Sequence, residues 1–295
     1  MALVATLISN PADRCLSDAL ADNAADMLGA SKADWLAPQI AFDIPLAPEM
    51  TAQAAEAELR TLIGDLPVDC VVQPADNRRR RILIADMDST MIDQECIDEL
   101  ADMVGVKDRV AAITARAMNG EIEFEGALRE RVALLAGLGA DVVERVIAER
   151  ITLAAGGREL VATMNAAGAF TLLVSGGFTT FTTRIATMLG FQEQQANVLL
   201  EENGTLTGKV ADPILGRAAK ADALHAVASR LGLTPADAIA VGDGANDLDM
   251  IGIAGTGVAL HAKPSVAAAA PFRIDHGDLT ALLYMQGYRL DEFAE

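Results

Sequence analysis

One stretch decides how the chain is interpreted: Arg81-Ile82-Leu83-Ile84-Ala85-Asp86-Met87-Asp88-Ser89-Thr90. Its apolar run, Ile82 to Ala85, predicts a buried strand that ends in two carboxylates. In an open parallel α/β sheet, ligands bind at the carboxyl ends of the strands, so Asp86 and Asp88 are expected where chemistry takes place. Side chains two residues apart on a strand share a face, which directs Met87 toward the interior. For this stretch alone, a capping Asp followed by a turn Asp is the ordinary alternative.

Composition and charge narrow the class of protein. At 295 residues the chain is long enough for two domains. Its net charge of -19 disfavours a surface that grips nucleic-acid phosphates, and no apolar run reaches the roughly 20 residues of a membrane span. The N-terminus lacks a basic segment followed by an apolar core, and the few, widely spaced cysteines fit a reducing compartment. We therefore expect a cytoplasmic protein with neither a nucleic acid nor a membrane as partner.

Residues 1–75 are predicted to form a small α+β domain of the ferredoxin-like, or ACT-like, kind. Strands are expected over 2–8, 40–44 and 67–72, and helices over 15–28 and 51–63. This segment carries no catalytic constellation. A regulatory role, a role in homodimerisation and a plain packing role all fit it.

A polar segment from Pro74 to Arg81 predicts a domain boundary. Its four consecutive arginines, Arg78 to Arg81, are interpreted as a solvated linker, because basic runs are weak motifs and this chain is acidic. Residues 76–295 are predicted to form a doubly wound, Rossmann-like parallel sheet with helices. Four helices within about 93–155 interrupt it and predict a helical cap over the carboxyl edge of the sheet.

Two further predicted strands also end in polar groups. The strand over 170–174 is followed by Ser175-Gly176-Gly177, and the strand over 238–241 by Gly242-Asp243-Gly244-Ala245-Asn246-Asp247. Lys220 is expected to open the helix that runs to Leu231. Each feature alone has an ordinary explanation as a turn or a solvated lysine. Their expected meeting at one sheet edge favours a joint site.

The chemistry of this joint site is coherent. Carboxylates from Asp86 and Asp243 are hard oxygen ligands that suit Mg²⁺. A metal ion, a lysine, a serine hydroxyl and glycine N–H groups together form a cradle for a phosphoryl group. An aspartate can act as the covalent nucleophile, and a second acid two residues on can protonate the leaving oxygen and then deprotonate water.

The four motifs, in their order, resemble those of the haloacid dehalogenase (HAD) superfamily. They are Asp86-Met-Asp88-Ser-Thr90, Ser175-Gly-Gly177, Lys220 and Gly242-Asp243-Gly-Ala-Asn246-Asp247. Within the superfamily the chain is most similar to the phosphoserine phosphatase family. That similarity extends to Glu95, to the run Met118-Asn-Gly-Glu-Ile-Glu-Phe124 and to the run Leu128-Arg-Glu-Arg131-Val, and it covers about residues 80–275.

The resemblance implies a role for each matched residue. Asp86 is the implied nucleophile and a metal ligand, Asp88 the general acid/base that also offers the metal its backbone carbonyl, and Asp243 the third metal group. The implied binding residues fall into four sets: Ser175, Gly176, Lys220 and Asn246 for the phosphoryl group; Glu95 for the substrate ammonium and Arg131 for its carboxylate; Met118 and Phe124 for the cap lining; and Asp247 for support of the loop and metal shell.

The implied reaction is Mg²⁺-dependent hydrolysis of O-phospho-L-serine to L-serine and phosphate through an aspartyl-phosphate, the last step of L-serine biosynthesis. A phosphotransferase that passes the phosphoryl group to another alcohol, such as homoserine, stays open as an alternative. A non-enzymatic amino-acid sensor is a third hypothesis, and the intact set Asp86, Asp88, Lys220 and Asp243 weighs against it. Asp88 also disfavours a dehalogenase, which needs no acid for its leaving group.

Overall fold

The computed structural model of the chain describes residues 2–118 and 121–294, without the side chain of Met118. Residues 3–74 form a four-stranded antiparallel sheet in the order β2-β3-β1-β4, with two helices. The elements are β1 (Leu3–Ser9), α1 (Asp18–Met27), β2 (Asp34–Ala37), β3 (Ala41–Pro45), α2 (Ala52–Ile63) and β4 (Val68–Pro74). The β-α-β-β-α-β order and this sheet order are those of a ferredoxin-like fold, which confirms the predicted α+β character.

Side-chain caps explain where the two helices of this sheet begin. Ser17 accepts a hydrogen bond from the Leu20 N–H, so α1 starts at Asp18 and not at residue 15 as predicted. Thr51 caps α2 in the same way through the Ala54 N–H. The strand β2 was missed, because it is a four-residue edge strand interrupted by a register shift.

A six-stranded sheet follows, with every described pair of neighbouring strands parallel and the order β12-β11-β10-β5-β6-β7. Its strands are β5 (Ile82–Ala85), β6 (Phe170–Phe178), β7 (Glu193–Asn197), β10 (Ala238–Gly242), β11 (Thr256–Leu260) and β12 (Phe272–Ile274). The helices of this part are α7 (Gly157–Ala166), α8 (Thr179–Leu189), α9 (Arg217–Arg230), α10 (Leu248–Ile253), α11 (Pro264–Ala267) and α12 (Ala281–Met285).

The alternation of β5 divides the apolar core into two layers, one on each face of the sheet. Leu83 and Ala85 belong to the layer that holds the buried residues of α7 and α8. Ile82 and Ile84 belong to the layer that holds those of α9 and α10. Helices therefore cover both faces, which confirms the predicted doubly wound α/β fold.

Four helices between β5 and α7 form the predicted cap: α3 (Cys96–Met103), α4 (Lys107–Met118), α5 (Phe124–Ala133) and α6 (Asp141–Arg150). The cap contacts a hairpin made of β8 (Leu199–Glu202) and β9 (Thr205–Val210), whose Asn203-Gly204 turn has positive φ at both residues. Backbone hydrogen bonds join Leu206 of this hairpin to Gly137 and Leu138 of the cap, at 2.8 Å each. The cap is thus tied to the hairpin. The domain limits at residue 75 and at about 93–155 stay predictions.

The arginine run is not the solvated linker that the sequence predicted. Arg78 contacts the buried carboxylate of Asp43 at 2.6 Å, with 16% of its own side chain exposed. Arg79 pairs with Glu292 at 2.7 Å. Arg80 donates to the Thr256 hydroxyl at 2.9 Å and to two backbone carbonyls. The linker interpretation was wrong because these partners lie far away in sequence.

The antiparallel sheet also covers one edge of the parallel sheet. Buried Asp69 on β4 accepts hydrogen bonds from the backbone N–H groups of Asp275, His276 and Gly277, directly after the edge strand β12. Such cover protects an otherwise open strand edge. In the part of the chain described, no helix is long and apolar enough to cross a membrane.

Candidate active site

Three neighbouring strands, β10, β5 and β6, bring their polar ends to one edge of the sheet, beneath the cap. Between this edge and the cap lies a cavity of about 620 Å³. Nine of the residues predicted for the site line it: Asp86, Asp88, Glu95, Phe124, Arg131, Ser175, Gly176, Asp243 and Asn246. Lys220 and Asp247 are buried and contact each other and, through Lys220, Asp86. Of the predicted set, only the Met118 side chain lies outside the described residues.

Asp86 shares a buried ion-pair cluster with Lys220 and Asp247. The Lys220 Nζ lies 2.7 Å from Asp86 Oδ1 and 2.6 Å from Asp247 Oδ1. Burial alone lowers the pKa of Lys220, but the two carboxylates outweigh this effect and hold the pKa above its ordinary value. The prediction that Lys220 opens α9 was wrong. The helix begins at Arg217, and Lys220 lies in its first turn. The lysine is therefore a fixed positive charge beside Asp86.

Three carboxylates at this sheet edge can hold a cation. Oxygens of Asp86, Asp243 and Asp247 all lie within 4.8 Å of one another. Desolvation and the neighbouring Asp86 carboxylate raise the pKa of Asp243 to about 6 and that of Asp247 to about 7. Crowded acids with raised pKa values are stabilised by a divalent ion, and oxygen donors are those that Mg²⁺ prefers. The donor set therefore fits the predicted metal, and it includes Asp247, for which the sequence predicted only a supporting role.

Asp88 is held by groups from two different elements. Its Oδ1 accepts a hydrogen bond from the Cys96 backbone N–H at 2.8 Å, and its Oδ2 accepts one from the Ser175 hydroxyl at 3.1 Å. Desolvation raises the pKa of Asp88 to about 7, and the carboxylates of Glu95 and Asp86 add to the rise. A carboxyl group that titrates near neutrality can both give and take a proton.

The Ser175-Gly176-Gly177 segment is extended and belongs to β6, whereas the sequence suggested a turn. The Gly177 N–H donates to the Ser175 hydroxyl at 2.8 Å. A Cβ at position 177 would stand 2.9 Å from Asp88 Oδ2 and 3.0 Å from Ser175 Oγ. Gly177 is therefore required because the backbone approaches Asp88 too closely for a side chain.

The loop after β10 folds tightly over its own acids. A Cβ at Gly242 would meet Asp247 Cγ at 2.3 Å, and one at Gly244 would meet Asn246 Oδ1 at 2.2 Å. The Gly244 N–H donates to Asp247 Oδ2 at 3.0 Å. These glycines let Asp247 turn inward while Asn246 faces the cavity.

The cap wall offers both signs of charge to the cavity. Glu95 precedes the first residue of α3 and accepts a hydrogen bond from the Ser89 hydroxyl at 2.9 Å. Arg131 on α5 donates to the Ala127 carbonyl at 3.3 Å. Desolvation lowers the pKa of Arg131, although nearby acids oppose the change. The guanidinium stays charged, and the wall can bind a group that carries both an ammonium and a carboxylate.

Several residues at this site were not predicted from the sequence. Lys263 and Thr114 line the cavity, and the Thr114 hydroxyl is buried without a hydrogen-bond partner among the described residues. Cys96 supplies the backbone N–H that holds Asp88. The side-chain amide of Asn197, the last residue of β7, donates a hydrogen bond to the Gly176 carbonyl. No local sequence pattern marks these positions, because the chain fold alone brings them to the cavity or to its lining residues.

Comparison with known proteins gives the family. The model of the haloacid dehalogenase-like hydrolase family matches residues 83–252. A phosphoserine phosphatase of Albidiferax ferrireducens is 48% identical over 208 residues, 69% of this chain and 88% of that protein. One of Streptomyces coelicolor is 43% identical over 247 residues, 83% of this chain but 58% of that relative's length. A probable phosphoserine phosphatase from Vibrio cholerae, solved unliganded, superposes with a TM-score of 0.80 at 30% identity, over 99% of this chain and 88% of that chain. The chain therefore belongs to the haloacid dehalogenase-like hydrolase family.

Proposed function

We propose that the protein is a Mg²⁺-dependent phosphoserine phosphatase. It would hydrolyse O-phospho-L-serine to L-serine and phosphate in the cytoplasm, as the last step of L-serine biosynthesis. The observation that carries the proposal is the pairing of two different sites in one cavity. Ser175, Gly176 and Asp243 at the sheet edge, which would bind the phosphoryl group, line the same cavity as Glu95 and Arg131 of the cap wall.

The substrate head group matches that wall in charge. O-phospho-L-serine carries an ammonium that suits Glu95 and a carboxylate that suits the planar guanidinium of Arg131. Phe124 lies against the cradle from the cap side, since a Cβ at Gly176 would stand 3.5 Å from its ring. The ring would pack on the short apolar part of the substrate and help to exclude water.

The residues divide the reaction into two steps. In the first, an Asp86 oxygen attacks phosphorus, the bond to the serine oxygen breaks, and Asp88 gives that oxygen its proton. In the second, Asp88 takes a proton from water as the water oxygen attacks phosphorus, which frees Asp86 and releases phosphate. The Ser175 hydroxyl, the Gly176 backbone and Lys220 would hold the phosphoryl oxygens in both steps, with Asn246 at the rim.

The metal would be held by Asp86, Asp243 and Asp247, together with the backbone carbonyl of Asp88. When bound, Mg²⁺ supplies positive charge that offsets the phosphoryl charge. The chain's own contribution is to hold Asp86 beside Lys220 at 2.7 Å, so that the nucleophile keeps one orientation.

The test is phosphate release from O-phospho-L-serine and from a panel of phosphate monoesters, with Mg²⁺ and with a chelator. The proposal expects a clear preference for O-phospho-L-serine and loss of turnover in the chelator. Comparable turnover of all esters would reject the substrate assignment. The same assay with homoserine added separates hydrolysis from transfer, because a phosphotransferase would form phosphohomoserine instead of free phosphate.

A further inference from the structure

We infer that Asn197 is a positioning residue that fixes the general acid and the lysine of the site relative to each other. The inference rests on the proposed function for its chemistry, although its contacts stand independently. Asn197 ends β7, is 2% exposed, and does not line the cavity. Whatever it contributes to the reaction must therefore pass through the groups it holds.

The Asn197 amide joins two segments of the phosphoryl-binding site. Its Nδ2 donates to the Gly176 carbonyl at 2.9 Å and to the Leu215 carbonyl at 3.4 Å. Its Oδ1 accepts from the Leu215 N–H at 2.7 Å. One buried side chain thus connects the end of β6 with the residues just before α9.

The first connection leads to the general acid. The Gly176 carbonyl and the Gly177 N–H belong to one planar peptide group, so fixing the carbonyl also fixes the direction of the N–H. That N–H donates to the Ser175 hydroxyl oxygen at 2.8 Å, and the hydroxyl donates to Asp88 at 3.1 Å. Asn197 therefore orients Asp88 through a short series of directional bonds.

The second connection leads to the nucleophile. Leu215 lies two residues before Arg217, where α9 begins, and Lys220 lies in the first turn of that helix. A helix is a stiff element, so a shift of its N-terminus moves Lys220 relative to Asp86. The Lys220 Nζ lies 2.7 Å from Asp86 Oδ1. A shift of about one ångström would break this hydrogen bond.

The chemistry at position 197 requires an amide. Two carbonyls need a donor and one N–H needs an acceptor, and an asparagine provides both on one planar group. An aspartate could accept the hydrogen bond from the Leu215 N–H. Its second carboxylate oxygen would replace the donor that faces the Gly176 carbonyl, so that two acceptors and a buried charge would be left together. Leucine has a similar size and makes none of these bonds.

The experiment compares Asn197→Leu, Asn197→Asp and the milder Asn197→Ser with the wild-type protein. A control, Asn165→Leu, removes a half-buried asparagine that bonds the Gly190 carbonyl at 2.8 Å and the Thr171 hydroxyl at 3.0 Å, away from the cavity lining. The readouts are kcat and KM for O-phospho-L-serine, the inhibition constant of inorganic phosphate, and the thermal midpoint.

The assays are run at a temperature well below the thermal midpoint of each variant. We expect Asn197→Leu and Asn197→Asp to lower kcat by about 10- to 100-fold, because small misplacements of reacting groups are costly. Phosphate should bind at least several-fold more weakly, and Asn197→Ser should fall between them and wild type. Asn165→Leu should lower the thermal midpoint and leave kcat unchanged. If the Asn197 variants instead lose only thermal stability, with kcat and phosphate inhibition unchanged, the inference is wrong. If the wild-type protein does not hydrolyse O-phospho-L-serine, the proposed function is wrong. The inference on Asn197 can then still be tested by measuring inhibition by inorganic phosphate with any ester that the protein hydrolyses.

Discussion

Replacing Lys220 by methionine tests the buried charge cluster directly. The Nζ atom lies 2.7 Å from Asp86 and 2.6 Å from Asp247, and the three side chains are 3%, 7% and 0% exposed. Methionine keeps most of the volume and removes the charge. The carboxylates of Asp86 and Asp247 then lie close together without the positive charge that offsets them.

The size of the effect follows from this burial. Removing one partner of a buried ion pair costs about 3–5 kcal/mol in the free energy of unfolding, because an uncompensated charge is left behind. For a domain of this size that corresponds to a fall of roughly 6–20 °C in the thermal midpoint. The loss should shrink at pH 5, because the pKa of Asp247 is raised to about 7 and a proton then neutralises this carboxylate.

The assay is a thermal melt of wild type and Lys220→Met at pH 8 and pH 5, without divalent metal. The matched control is Lys263→Met, since Lys263 is an exposed lysine on the same cavity, and this change should alter the free energy of unfolding by less than about 0.5 kcal/mol. A loss below about 1 kcal/mol for Lys220→Met at pH 8, or an equal loss at both pH values, would refute the reasoning.

Three further predictions concern the head group, the metal and the sheet contact. Arg131→Ala should raise KM at least about 10-fold more for O-phospho-L-serine than for phosphoethanolamine, which lacks the carboxylate. Arg129→Ala, on the same helix but paired with an exposed acid, should change neither value, and equal losses for both esters in Arg131→Ala would reject the carboxylate contact. Mg²⁺ should raise the thermal midpoint more at pH 8 than at pH 5, because the pKa of Asp243 is raised to about 6 and the ion must displace its proton. Without metal the sign is opposite: a folded-state pKa above the unfolded value of 3.8 means that folding takes up a proton, so this group's contribution to stability falls as the pH rises from about 4 to about 6. A metal effect that is independent of pH, or one retained in Asp243→Asn, would contradict this assignment. Arg78→Gln should lower the free energy of unfolding by about 1–3 kcal/mol in denaturant melts, whereas its neighbour Arg79→Gln, in an exposed pair, should lower it by under about 1 kcal/mol; the reverse order would count against the buried contact.

The sheet edge could be predicted from the sequence because its signals are local. An apolar run over Ile82–Ala85 followed by acids defines both a buried strand and its functional end. Parallel strands share their carboxyl edge, so the polar ends of β5, β6 and β10 had to meet once the sheet was parallel. The cap was predictable for the same reason, since a helical periodicity between two strands must lie outside the sheet.

Contacts between distant segments could not be predicted from patterns. Lys220 and Asp86 are 134 residues apart, and their direct ion pair was not predicted, although both residues were assigned to one site. Asn197 lies in a polar strand, Glu193–Asn197, whose sequence has no strand periodicity, and its bonds depend on where Leu215 returns. Arg78 was predicted to be solvated because its partner, Asp43, lies 35 residues earlier in the chain, in the antiparallel sheet.

In the proposed mechanism, Asp86 carries the phosphoryl group of O-phospho-L-serine during turnover. The direct measurement is rapid acid quenching of the enzyme with labelled O-phospho-L-serine and Mg²⁺, followed by peptide mapping of the bound label. We expect label on the peptide that contains Asp86 and none in Asp86→Asn, in which hydrolysis is also lost. Label on another residue, or a labelled Asp86→Asn protein, would contradict it.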